Sequence, residues 1–144
     1  MPNELRLKTS RKKFIFIYIF AILLIILYPM SDFASQDGIY DYLFFFFVLV
    51  ALLYPEIKIV YSSYIITSDN VIEVKGIITK ERTVIPFSSI SHVIMKKGLI
   101  GTILNFGDII VTSFNDLVIV LEGINNPERV SEEIEKNVEK TKRI

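Results

Sequence analysis

The strongest constraint on this chain is the run Phe14–Met30, FIFIYIFAILLIILYPM, which contains no charged or amide side chain. As a helix rising 1.5 Å per residue it spans roughly 25 Å, enough to reach across a hydrocarbon core at the short end of the usual range. Lys12 and Lys13 precede it and can extend their ammonium groups toward water, while Tyr18, Tyr28 and Tyr42 suit the headgroup level. Pro29 falls at the end, where it stops a helix rather than kinking it. A cleaved leader is a poor match, because the run is long for one and the only cleavage-like tripeptide, Asp32-Phe33-Ala34, carries a charge where a small residue is expected.

A second apolar segment lies at Ile39–Tyr54. Its clean core, Tyr42–Tyr54, is about 13 residues, a length that also fits a buried helix or a re-entrant piece. The sequence LFFFFVLVALL is too apolar to leave against water, and Ser31–Gly38 is rich enough in turn residues to join two helices. Two spans, at about 14–30 and 39–55, are therefore expected. Arg6, Lys8, Arg11, Lys12 and Lys13 crowd the first residues, whereas only Asp32, Asp37 and Asp41 lie around the loop. By the bias of basic residues the tail stays cytoplasmic, the loop is outside, and everything after Pro55 returns to the cytoplasm. The chain then divides into an anchor over 1–57 and a soluble domain over 58–144.

Composition excludes more than it selects. Among 144 residues there is no cysteine and a single histidine, His92, so disulfides, thiolate metal sites and cysteine nucleophiles are ruled out and metal chemistry lacks its commonest ligand. The formal charge is +0 and the mean hydropathy is +0.47. No phosphate loop, G-x-S-x-G or H-E-x-x-H occurs, no cofactor is implied, and no basic face points to nucleic acid. Gly98-Leu99-Ile100-Gly101 reads as a bend, since no Lys-Ser/Thr follows it.

Behind the apolar segments the texture changes to β-branched stretches between turn residues. Ile59–Thr67, Val71–Lys75, Ile77–Ile85, Ile90–Lys96, Ile109–Thr112 and Leu117–Leu121 read as strands, with Ser68-Asp69-Asn70 and Ser113–Asp116 as hairpin loops. The end is helical over 127–142: Asn126 as N-cap, Pro127 at the first position, and Val130, Ile134 and Val138 forming one apolar stripe. The mixed charge of its polar face favours packing on its own sheet over lying on a membrane.

In this order the residues resemble a known family, the membrane-anchored bacterial and archaeal pleckstrin-homology (PH)-like domains. Tyr64–Thr67, then Gly76-Ile77-Ile78-Thr79 with Lys80-Glu81-Arg82, look like its opening strands. Ile85-Pro86 with Ile90 and Val93, Ile103–Ile109, and Asn126-Pro127 are similar to its later steps. The resemblance covers about Val60 to Val138. It implies an α+β protein with a mainly β soluble domain: an N-terminal two-helix transmembrane hairpin, then a PH-like seven-stranded barrel capped by a C-terminal amphipathic helix. Two positions depart from the pattern. Thr102 stands where a basic residue is common, which lowers the expectation of an anion site there, and Asn105 stands where glycine is frequent, a place asparagine can fill in the left-handed conformation.

The function implied is that of a non-enzymatic membrane-anchored module presenting a cytoplasmic barrel for protein–protein interaction or self-assembly. The alternative is anionic-headgroup sensing by cations at strand ends, namely Lys75, Lys80, Arg82, Lys96 and Lys97, which the inner leaflet attracts at about 1 kcal/mol each. Glu73 and Glu81 lie close enough in sequence to neutralise some of these as ordinary solvated faces. Expected partners are thus the bilayer itself and a protein, either another copy or a different chain.

Overall fold

The computed structural model describes residues 4–32 and 38–143. Much of the Ser31–Gly38 turn lies outside the described residues. The element order is β1 (Leu5–Lys8), α1 (Ile15–Leu27), α2 (Ile39–Tyr61), β2 (Ser62–Ile66), β3 (Asn70–Lys75), β4 (Glu81–Pro86), β5 (Ile90–Lys96), α3 (Leu99–Leu104), β6 (Phe106–Ser113), β7 (Val118–Asn125) and α4 (Pro127–Lys142). Turns of 3-10 helix flank α1, at Arg11–Phe14 and Tyr28–Met30, and another, Phe87–Ser89, joins β4 to β5. Two compact units result: Phe14–Lys58 is one, and the tail through Lys13 together with Ile59 onward is the other.

The first unit is a pair of helices, and both, Arg11–Met30 and Ile39–Tyr61, are long and apolar enough to cross a membrane. Side chains match along an antiparallel pair. Phe14 meets Tyr54 edge-on with centroids 6.3 Å apart, the Tyr18 hydroxyl donates to Glu56 Oε1 at 3.1 Å, and the Tyr28 ring stacks on Phe44 at 3.9 Å. The Tyr28 hydroxyl also hydrogen-bonds Asp41. Tyr18 and Tyr28 thus find carboxylate partners, Glu56 and Asp41, within the unit. Among the described residues only Ala21, Val48 and Pro55 are buried within the unit, and the remaining large apolar side chains mostly face outward. α2 runs past Pro55 to Tyr61, so Ile59–Tyr61, expected as strand, are helical. A proline ring removes one helical donor without ending the helix when packing holds the flanks.

Among the described residues the second unit carries seven strands in two antiparallel sheets, of order β1-β2-β3-β4 and β5-β6-β7. The expected seven-stranded barrel is therefore corrected, since it does not close: among the described residues no ladder joins the two sheets, and β4 passes to β5 through the Phe87–Ser89 turn. Pro86 at the end of β4 has no donor with which to extend pairing. The strand count reaches seven because of β1, formed by residues of the basic tail. Leu5 pairs with Ile66, Arg6 with Ile65, Leu7 with Tyr64 and Lys8 with Ser63. Both apolar helices are thus an insertion between the first two strands of one sheet. After β1 the tail crosses to the other sheet, where the Ser10 N–H donates to Gly123 O at 2.6 Å and Thr9 is buried.

Burial alternates along β6 with period two, so that Ile109 and Val111 face inward, and β7 adds Ile119, Leu121 and Ile124. Tyr64, Ile66, Val71 and Ile85 join them from the other sheet, Phe87 from the turn between the sheets and Ile90 from the start of β5, and α4 covers the core with Val130, Ile134 and Val138. The helix occupies the residues expected of it and buries its stripe on its own sheets. Its entry differs from expectation. Asn126 adopts φ 50° and ψ 60° and makes no side-chain cap; its N–H instead donates to Asn105 O at 3.1 Å. Asn105, at φ 58°, takes the left-handed conformation expected of a glycine substitute.

Two further segments depart from the expected strands. Ile77–Lys80 form a turn rather than the start of β4. Gly76, at φ +111°, makes that turn, and a Cβ there would lie 1.9 Å from the Thr79 carbonyl oxygen. Gly98-Leu99-Ile100-Gly101, expected as a bend, instead open the short helix α3.

Candidate functional site

The five cations singled out from the sequence fall into two groups. Lys75, Lys80 and Arg82 belong to the β3–β4 hairpin, and Lys96 and Lys97 to the passage from β5 to α3. Lys75 is spent locally, with Nζ 3.1 Å from Oε1 of Glu73, whose side chain is buried on the inner side of its sheet. That oxygen has no hydrogen-bond partner of good geometry among the described residues, so the contact is best described as an ion pair. The Glu73 carboxylate beside it raises Lys75 above its ordinary 10.5, against the lowering effect of partial burial. Lys80 and Arg82 are exposed.

Lys97 is held more firmly. Its ammonium donates to Glu128 Oε1 at 2.5 Å and to Asn105 Oδ1 at 2.9 Å, tying the end of α3 to the first turn of α4. The Lys97 ammonium in turn lowers Glu128 below its ordinary 4.5. A carboxylate in the first turn is also favoured by the helix dipole. Lys96 is exposed, with Asp108 as its register partner on β6. His92 is an exposed strand residue opposite Thr112. The cations thus do not form one cradle, and two of the five are already neutralised by carboxylates of the same chain.

Three features were not singled out from the sequence. The first is the order of the sheets, which leaves β5 at the edge of its sheet. A groove of about 220 Å³ runs beside it, lined by Ile90, Ser91 and Val93 and, from α4, by Glu135, Val138 and Glu139. The second is the β3–β4 turn, where Ile77 and Ile78 are exposed. The third is α3, where Leu99 and Ile103, one helical turn apart, are exposed on one side. β1, also not expected from the sequence, alternates apolar Leu5 and Leu7 with basic Arg6 and Lys8, a pattern too short to announce a strand by itself.

Two antiparallel sheets closed by a C-terminal helix at Asn126-Pro127 agree with the resemblance, and comparison with family models decides it. The model described as Bacterial PH domain matches residues 13–138. This chain belongs to the bacterial PH domain family. No curated protein and no solved structure matches it. The match takes in both apolar helices along with β2 to β7, while β1 lies ahead of it. Domains of the PH type are in general non-catalytic binding modules. In this bacterial PH domain β5 is an edge strand with a groove between it and α4, and the β3–β4 turn and α3 carry exposed apolar side chains.

Proposed function

We propose that this bacterial PH domain is a membrane-anchored, non-enzymatic module. In this reading α1 and α2 cross the cell membrane as a hairpin, and both chain ends lie on the cytoplasmic side. The domain offers a sheet edge to a protein partner or to another copy of itself. The observation that carries the reading is the β1–β2 ladder. A strand that precedes α1 pairs with a strand that follows α2, which supports placing the two ends of the helical pair on one face, with an even number of crossings. The outward-facing apolar side chains of both helices support a lipid surround, since a helix apolar all round is otherwise buried in protein. The basic residues from Arg6 to Lys13 favour the cytoplasmic face. For the partner, an edge strand beside a groove is the arrangement used in strand addition, where backbone hydrogen bonds supply affinity and flanking pockets supply choice. Headgroup sensing by strand-end cations is the weaker reading, because Lys75 and Lys97 are already paired.

Single cysteines in this cysteine-free chain test the topology. Replacing Glu4 and Asn115, both exposed, should give sites protected from an impermeant thiol reagent in intact cells and labelled after permeabilisation, while Ser35→Cys is labelled from outside. Opposite exposure of positions 4 and 115 refutes the shared face. A photoreactive residue at Ser91 should crosslink to protein in membranes. Crosslinking to lipid alone there, or to nothing, removes the interaction reading.

A further inference from the structure

Each of the two points where the soluble unit passes into an apolar helix has an exposed apolar protrusion beside it. At the α2–β2 junction the Gly76 N–H donates to Tyr61 O at 2.8 Å, so the β3–β4 turn sits against the residue that ends α2. Ile78 at that turn is 98% exposed and Ile77 52%, and Lys80 and Arg82 follow them. At the tail–α1 junction Lys12 Nζ donates to Leu104 O at 2.9 Å, and Lys13 pairs with Glu122 at 3.1 Å. This brings α3 beside the last residues before α1; its Leu99 is 89% exposed and Ile103 81%, with Lys96 nearby in sequence. Isolated exposed apolar side chains are common, but bulky ones this bare, placed at both junctions and flanked by cations, are the composition of an interfacial membrane contact.

We infer that Ile77–Ile78 and Leu99–Ile103 are two feet of the domain that sink into the lipid interface, with Lys80, Arg82 and Lys96 at headgroup level. The inference goes beyond anchoring: the hairpin fixes which membrane the domain is on, while the feet add contacts of the domain itself with lipid. It rests on α1 and α2 spanning the bilayer. The occupant is the bilayer and not a protein, because the feet flank the two points of attachment to the spanning helices. The cations beside them also match an anionic leaflet.

The test uses the full-length chain in anionic nanodiscs with one spin label at a time, at positions 78, 99 and 114, and at 22 and 46 within the helices. Phe114 is the control, an apolar side chain 67% exposed at the β6–β7 turn, the far end of the ladder from α3. At 78 and 99 the ratio of oxygen to nickel-chelate accessibility should be several-fold higher than at 114, and close to the values at 22 and 46. A ratio at 78 or at 99 equal to that at 114, with 22 and 46 lipid-like, overturns the feet alone. Water-like values at 22 and 46 overturn the anchor and the feet with it. Loss of access to both reagents at 78 and 99 signals burial against protein and also overturns the inference.

Discussion

Strand β1 is the element on which the topology turns, and its attachment can be weakened without touching its backbone. Leu5 and Leu7 are half-buried, register with Ile66 and Tyr64, and pack against the core, while Arg6 points away and is exposed. Truncating a fully buried leucine to alanine costs about 2–5 kcal/mol. A half-buried one costs about half the lower figure, so the Leu5→Ala, Leu7→Ala pair should weaken β1 by about 2 kcal/mol, allowing for incomplete additivity between neighbours on one face. An edge strand opens locally rather than globally, so that loss becomes a roughly 30-fold rise in its opening constant. Hydrogen exchange read by mass spectrometry on the full chain in nanodiscs should show this rise in peptides covering Leu5–Lys8. β5, β6 and β7 should keep their protection, and Arg6→Ala should change exchange by less than about threefold, the span of an ordinary surface substitution. If the wild-type tail exchanges like an unstructured chain, or if Arg6→Ala matches the leucine pair, the ladder and the topological argument built on it are wrong.

Other outcomes follow from single contacts. Asn126→Gly should be neutral or slightly stabilising by thermal denaturation, because the residue serves through its left-handed backbone; a loss of about 1 kcal/mol would indicate side-chain capping instead. The Lys97–Glu128 tie has a definite pH sign. Glu128 is depressed in the folded chain, so its contribution is fully present above its unfolded value of 4.5 and is lost as pH falls through the lower folded value. Exchange of the first-turn amides of α4 should therefore rise in acid, and Glu128→Gln should flatten that dependence. Lys75 runs the other way, since its pairing with Glu73 holds below pH 10.5 and is lost as pH rises above the raised folded value, which Lys75→Met should abolish in an alkaline melt. Ile134→Ala, which removes a fully buried side chain from the α4 stripe, should cost about 2–5 kcal/mol in the same melts.

The legible parts of this protein were those whose physics is local. Phe14–Met30 is unsuited to water whatever surrounds it, and its helical form follows from the need to satisfy its own backbone. Val130, Ile134 and Val138 recur with helical spacing, and Ile109 to Ile119 lie in runs that suit strands, so α4 and the β6–β7 hairpin could be read in place. What could not be read were pairings between distant residues. Leu5 finds Ile66 across two helices, and four residues of alternating leucine and basic side chain do not by themselves announce a strand. The same applies to the cations: Lys97 looks available in sequence, and only the meeting of α3 with α4 supplies Glu128 and Asn105 to occupy it. Asn126 looks like a cap because its neighbours are right for one, yet the contact with Asn105 decides its conformation.

By itself, then, the sequence determined two apolar helices, a β-rich domain behind them and the helix that closes it, because hydropathy and periodicity act over a few residues. The tertiary structure decided that the tail belongs to the sheet, that the sheets do not close into a barrel, and which side chains are left bare at the junctions. Each of these depends on long-range pairing, where the partner and not the segment sets the outcome.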